Sequence, residues 1–146
     1  MSEVLIEITP SEWEVMRVLW ANGEIGSGQI VAILEEKRDW RPTTIKTLLA
    51  RLVDKALVST KADGHRYLYR ANVSELEAWN DASEQLFSYV CAQSRGQKIA
   101  HLIGAKALTQ EDVALILESV TTALKNVAKE IPCDCFAGQC TCHLAK

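Results

Sequence analysis

Three helix openings and one tight-hairpin dipeptide, in that order within the first 72 residues, leave this chain few folds to choose from. Thr9-Pro10-Ser11-Glu12 supplies a hydroxyl cap, a proline at the first helical position and a glutamate at the third. Ile8 and Trp13 sit at the two positions of a hydrophobic staple, and Trp13, Met16 and Trp20 mark one face until Asn22-Gly23 closes the helix. Ser27 is the expected cap of a second helix bearing Ile30, Val31, Ile33 and Leu34. Trp40-Arg41-Pro42 breaks the chain and opens a third helix, apolar at Ile45, Leu48, Leu49 and Leu52. Its other side carries Thr43, Lys46, Thr47, Ala50 and Arg51. Leu57 to Ala62 reads as a short strand and Asp63-Gly64 as its turn; His65 to Ala71 returns with Tyr67 and Tyr69 on one face.

Three helices and a hairpin in this sequence are the order of a winged helix-turn-helix, whose third helix fits the DNA major groove while the hairpin touches flanking backbone. The charge pattern agrees. The chain carries a net −3, yet residues 37–70 hold nine bases against three acids, while residues 1–36 hold one base against seven acids. A phosphate backbone would dock on the basic third. The candidate DNA-binding residues are Thr43, Thr44, Lys46, Thr47 and Arg51 on the third helix, with Arg41 before it. Threonine offers a hydroxyl and a methyl, and Lys46 or Arg51 can reach a guanine or a phosphate. Lys61, His65 and Arg66, with Arg70, are candidate backbone contacts from the wing. Trp13, Trp20 and Trp40 are expected in the core rather than stacked on bases.

From Ser74 onward the chain is helical and acidic. Ser74-Glu75-Leu76-Glu77 is a second capping box, opening a helix with Leu76, Trp79, Leu86, Phe87 and Val90 that Gly96 is expected to interrupt. Ile99, Leu102 and Ile103 mark a shorter helix. Thr109 with Asp112 starts the last one, expected to run to Pro132 with Val113, Leu117, Val120, Leu124, Val127 and Ile131 at spacings of four and three. Such a seam wants a partner helix. A homodimer assembled through Leu76, Trp79, Leu86, Val113, Leu117, Val120 and Leu124 follows.

Four of the five thiols fall in the ten residues Cys133 to Cys142, as two Cys-x-Cys pairs four residues apart: Cys133, Cys135, Cys140 and Cys142. Each pair can present both sulfurs to one ion, and Gly138 lets the linking turn fold back. Thiolate is a soft donor that selects Cu(I) and zinc. Zinc fingers usually space their thiols more widely, so the pattern leans toward Cu(I) or a site that Cu(I) and zinc occupy alternatively. Two disulfides or a structural zinc knuckle are the other readings. Phe136 and Leu144 are expected to shield the cage, His143 to serve at most as a substitute ligand, and Cys91 to be a buried structural thiol apart from it.

Hydrophobic residues at 48% and charged residues at 24% fit a soluble protein with a real core. No apolar run of membrane-spanning length is visible, and Met1-Ser2-Glu3 does not open a secretory signal, so a cytoplasmic protein with no membrane partner is expected. There is no paired-carboxylate, nucleophile-base or phosphate-loop constellation, and Gly26-Ser27-Gly28 lacks the spacing of a nucleophile elbow. The chain is not expected to be an enzyme. A metal carrier with an incidental basic region is disfavoured by the coherent polar face of the third helix.

The segments Ile8-Thr9-Pro10-Ser11-Glu12-Trp13-Glu14-Val15-Met16 and Thr43-Thr44-Ile45-Lys46-Thr47-Leu48-Leu49-Ala50-Arg51-Leu52, with the wing after them, closely resemble the BlaI/MecI family of bacterial winged-helix repressors. With the thiol tail added, the chain resembles that family's copper-responsive branch. The resemblance implies a homodimer on a palindromic operator, repressing copper-export genes while zinc fills the tail and released when Cu(I) replaces it, with a copper chaperone as metal donor. Two departures stand out. No Asn-Phe dipeptide is present, which disfavours induction by the proteolysis used in the antibiotic-sensing branch, and Arg41 stands where serine often precedes the proline. The expected architecture is mainly α with a small β-hairpin. A winged helix-turn-helix domain covers residues 1–72, a helical dimerisation domain 73–131 and a metal-binding tail 132–146. A winged-helix regulator with a structural zinc site, answering another signal, is the alternative.

Overall fold

A computed structural model describes residues 6–142 and divides the chain into two compact units, Met1–Ser83 and Glu84–Lys146. The expectations for His143 and Leu144 lie outside the described residues. In the first unit, α1 (Pro10–Asn22) begins as the sequence requires. The Thr9 hydroxyl accepts from the Glu12 N–H at 3.2 Å, and the Glu12 carboxylate accepts from the Thr9 N–H at 3.1 Å. Gly23, at φ 74°, ends the helix. α2 (Ser27–Arg38) follows with Gly26 as its N-cap residue, so Ser27 is its first residue instead of its cap. α3 (Pro42–Asp54) opens at Arg41 without any side-chain cap.

The sheet has three antiparallel strands in the order β1-β3-β2: β1 (Glu24–Gly26), β2 (Val58–Asp63) and β3 (Arg66–Ala71). Asp63 pairs with Arg66, so the hairpin tip is Gly64-His65, one residue later than Asp63-Gly64. Gly64 at φ 64° takes the left-handed first loop position, which a two-residue hairpin assigns to glycine. The helices and sheet close over Val15, Met16, Leu19, Ile25, Ile30, Leu34, Ile45, Leu49, Leu52 and Val58. Each such side chain contributes about 1.5–3 kcal/mol by leaving water. Trp13, Trp20 and Trp40 pack on this core. Trp13 and Trp20 meet edge to face at 5.5 Å, and the Trp20 indole donates to the Val73 carbonyl at 2.8 Å.

α4 (Glu75–Ser88) carries the second capping box, with reciprocal Ser74–Glu77 bonds of 2.9 and 3.1 Å. Two expected features of the second unit move. The break after α4 falls at Tyr89-Val90, where single-turn bonds to the Leu86 and Phe87 carbonyls end it. Gly96 instead lies inside α5 (Arg95–Ala105). The last helix, α6 (Gln110–Ala123), starts at the Thr109–Asp112 box but stops well short of Pro132. A 3-10 turn at Leu124–Asn126 follows, and the backbone leaves it in an extended conformation at Val127. Ser119, Thr121 and Thr122 turn their hydroxyls onto carbonyls four residues back, a competition that weakens a helix near its end. Among the described residues, no helix is long and apolar enough to cross a membrane.

Candidate nucleic-acid interface and thiol cluster

α3 is divided cleanly. Ile45, Leu48, Leu49 and Leu52 are buried at 5% exposure or less, which orients the helix and turns Thr43, Thr44, Lys46, Thr47, Ala50 and Arg51 to solvent. Thr43, Thr44, Thr47, Leu48 and Arg51 line one shallow depression. The Thr47 hydroxyl donates to the Thr43 carbonyl at 2.9 Å, so it can accept from an external donor as it stands and must rotate only to donate to one. Arg41 is exposed just before the helix, and Lys61, His65, Arg66 and Arg70 are exposed on the wing.

Ion pairing sorts the nine bases of residues 37–70. Glu14 on α1 takes Lys37 at 3.1 Å and Arg38 at 3.0 Å, and Glu12 takes Lys55 at 2.7 Å. The Arg38 and Lys37 hydrogen bonds hold the Glu14 carboxyl below its usual range. Those three cations serve the fold. Arg41, Lys46, Arg51, Lys61, Arg66 and Arg70 have no ion pair among the described residues, and five of the six are sequence-derived DNA candidates; Arg70 was named beside them as a wing contact. The sequence count of bases could not separate the two groups, because the partners lie on α1.

In the second unit the structure gathers sulfur. Phe136 to Gln139 form a turn closed by the Gln139 N–H on the Phe136 carbonyl at 3.0 Å, with Gly138 at φ 90° in its third position. Only a residue tolerant of positive φ fits there. The Gln139 side-chain oxygen also accepts from the Phe136 N–H at 2.8 Å. This fold-back brings Cys133 Sγ within 3.4 Å of Cys140 Sγ, and Cys140 Sγ within 2.7 Å of Cys142 Sγ. The Cys135 N–H points at Cys133 Sγ from 3.4 Å.

Cys91 is not apart from the tail. Its sulfur lies 3.7 Å from both Cys133 and Cys142, and the sulfurs of Cys91, Cys133, Cys135 and Cys140 all fall within 4.8 Å of one another. Sequence reasoning missed it because 42 residues separate Cys91 from Cys133; the only signal was that the chain's fifth thiol stood alone. Phe136, expected to shield the cage, is instead 80% exposed.

These sulfurs fit a soft metal ion. Zinc–sulfur bonds of about 2.3 Å in a tetrahedron set sulfur–sulfur edges of about 3.8 Å, close to the Cys91–Cys133 separation of 3.7 Å and the Cys133–Cys140 separation of 3.4 Å but not to the 2.7 Å between Cys140 and Cys142. Without a cation such crowding disfavours thiolate. Cys135 is pushed well above the ordinary thiol range by desolvation first and then by the Cys140, Cys91 and Cys133 sulfurs. Cys142 is pushed up by hydrogen bonding with Cys133 and Cys140, then by desolvation. Four cysteines in this proximity could bind a metal.

Comparison with known proteins gives a profile match, described as penicillinase repressor, over residues 8–122. An uncharacterised 16.5 kDa protein of Latilactobacillus sakei, from the region 3′ of ptsI, is 39% identical over 143 residues, covering 98% of each chain. The methicillin resistance regulatory protein MecI of Mammaliicoccus sciuri is 26% identical over 113 residues, 77% of this chain and 92% of MecI. Among solved structures, a CopR repressor is 36% identical, covering 47% of this chain and all of that one, with a TM-score of 0.41. The profile match ends before the first tail cysteine.

Proposed function

From the premise that the chain belongs to the penicillinase repressor family, matched over most of its length, we propose that this transcriptional repressor answers copper. It binds a palindromic operator as a homodimer and lets go when Cu(I) occupies its thiol cluster. The observation that carries the reading is the gathering of soft donors, three of the four from beyond the profile match, in a chain whose first unit exposes a basic helix and wing. The operator-binding state is the zinc or the metal-free form, with zinc held by Cys133, Cys135, Cys140 and Cys142; Cu(I) is the competing occupant, with a copper chaperone as its donor. Cu(I) accepts fewer sulfurs per ion than zinc, and that difference in binding mode supplies the differential free energy a switch needs. Residues 1–72 would read DNA, residues 73–131 would dimerise through Leu76, Trp79, Leu86, Val113, Leu117, Val120 and Leu124, and residues 132–146 would sense metal.

On the DNA side, Thr43, Thr44, Lys46, Thr47 and Arg51 would enter the major groove, while Arg41, Lys61, His65 and Arg66 would hold phosphates and set the register. Proteolytic induction has no Asn-Phe bond to act on here. A mobility titration of operator DNA with zinc-loaded and Cu(I)-loaded protein is the direct test. Weaker binding of the copper form is expected; equal affinity would refute the switch and leave DNA binding intact.

A second reading, a structural zinc site answering another signal, has one observation in its favour. Asp134 anchors the loop by accepting from the Ala92 N–H at 2.9 Å, as a structural knuckle would be anchored. Serine at all four tail cysteines separates the two. Loss of the fold or dimer supports the structural role, whereas an intact dimer that ignores copper supports sensing.

A further inference from the structure

The second Cys-x-Cys pair and the turn before it are local, but the position of Cys91 is not. It sits between α4 and α5 at the start of a 3-10 turn, Ala92–Ser94, and its carbonyl accepts both the Ser94 N–H at 2.9 Å and the Ser94 hydroxyl at 2.8 Å. Those bonds fix the peptide on which its sulfur is carried. Two further bonds clasp this turn to the thiol loop. The Ala92 N–H donates to Asp134 Oδ1 at 2.9 Å, and the Gln93 side-chain amide donates to the Ile131 carbonyl at 3.0 Å. Asp134 is the middle residue of the first Cys-x-Cys, so its anchor on the neighbour of Cys91 sets that pair against the fifth sulfur. The polar clasp and the sulfur separations are independent observations, and both place Cys91 inside the cluster.

We propose that Cys91 is itself a metal ligand, completing a tetrathiolate with Cys133, Cys135 and Cys140 in place of Cys142, so that the fourth ligand of the site proposed above comes from outside the tail. Bound metal then ties the C-terminal loop to the segment between α4 and α5. Cys142, 2.7 Å from Cys140 and 3.7 Å from Cys91, stands beside the set as a surplus thiol. This rests on the tail being a metal site, as proposed above, but not on copper being the signal. Its chemical consequence is that metal occupancy constrains a junction between helices, rather than only a loop that follows the last one.

Two measurements on the full chain test it. In the unmutated protein, trypsin places Cys91 alone on the peptide Ala71–Arg95, while the other four thiols fall on Glu130–Lys146. Pulsed alkylation followed by mass spectrometry should show that one equivalent of zinc slows modification of Cys91 as strongly as that of Cys133. Protection of the tail with Cys91 still reacting at its metal-free rate would overturn the proposal. The second measurement is zinc affinity by chelator competition, with cobalt(II) charge-transfer absorbance as the count of thiolate ligands. Cys142→Ser should keep the tetrathiolate spectrum and bind zinc nearly as tightly as the parent. Adding Cys91→Ser should remove a ligand and weaken binding by more than the roughly 10–100-fold seen when only an outer-shell partner is lost. If Cys142→Ser alone breaks the spectrum and Cys91→Ser adds nothing, the four tail thiols are the whole site and Cys91 is excluded. Helical circular dichroism of the metal-free variants checks folding, and the alkylation arm needs no variant. No zinc uptake by the parent protein would overturn this proposal together with the metal-site reading. Intact zinc results with copper-insensitive operator binding would overturn only the copper response and leave Cys91 supported.

Discussion

At the scale of single residues, Glu12 shows how a sequence motif acquires a second duty. The capping box asks only that its carboxylate reach back to Thr9, and it does. The fold also buries this side chain and brings Lys55 Nζ to 2.7 Å, with the same ammonium donating to the Glu7 carbonyl at 3.0 Å. Burial alone would raise the carboxyl pKa; the Lys55 bond, the Thr9 bonds and the Lys55 charge together outweigh it and lower it. A carboxylate with a depressed folded pKa contributes stability above its unfolded pKa and loses it as pH falls through the folded value. Glu12 therefore contributes fully at neutral pH, and its contribution vanishes only below the ordinary glutamate range. Lys55→Met removes the largest lowering influence and leaves a buried carboxylate with Thr9 alone. The expected cost is about 1–3 kcal/mol, toward the lower end because the lysine side chain is 35% exposed. Denaturant unfolding at pH 7 and again at low pH checks this: the gap between parent and variant should narrow as pH falls, and a constant gap would assign the loss to packing instead.

At the scale of elements, the sequence was most legible where the signal is local. Three capping boxes, at Thr9, Ser74 and Thr109, start the helices they predict, and the apolar spacing of α3 names the residues that are buried. It was least legible where pairing is remote. Glu24-Ile25-Gly26 is a strand only because it lies along Arg70-Tyr69-Leu68 of β3. The end of α6 is invisible to periodicity, because the apolar spacing continues past Ala123 after the helix has stopped. Cys91 joins the thiols through a clasp that periodicity cannot express. The same distinction governs the charges on α3 and the wing. Lys37 and Lys46 are equivalent in a count of bases, but Lys37 already neutralises Glu14 whereas Lys46 faces solvent. Each phosphate contact removed lowers the slope of log affinity against log salt by about one unit. Lys46→Ala and Arg51→Ala should each reduce the slope of operator binding, by about one unit wherever the side chain holds a phosphate. Lys37→Ala should leave the slope unchanged and lower thermal stability slightly. Fluorescence anisotropy across a salt series reads all three; an equal slope change for Lys37→Ala would mean that bulk charge, not the α3 face, holds the DNA.

At the scale of the molecule, the two units differ in how they are stabilised. The first has a continuous core, while Ala92 is the single buried hydrophobic side chain among the described residues of the second. Leu86, Ile99, Leu102, Val113, Leu117, Val120 and Leu124 are between 43% and 66% exposed, and Leu76 and Trp79 on α4 are more than 60% exposed. Apolar side chains exposed in that number mark association sites rather than a monomer's exterior. The partner that the functional reading supplies is a second copy, because a palindromic operator presents two equivalent half-sites to a two-fold dimer. On that view α6 carries a buried seam only in the dimer, and metal at the thiol cluster acts on the same unit that dimerises. A charge pair placed in the seam should then separate two properties. Leu117→Lys with Val120→Lys leaves the first unit's core untouched, so that unit should keep its thermal transition. The dimer should fall apart, and operator affinity should drop by roughly 100-fold or more, because the second half-site is no longer held at high effective concentration. Binding to an isolated half-site should not change. Sedimentation velocity beside titrations of full and half operators decides it: a parent protein that runs as a monomer at the concentrations where it fills the full operator would remove the two-fold dimer and, with it, the assembly through which the thiol cluster is proposed to reach DNA.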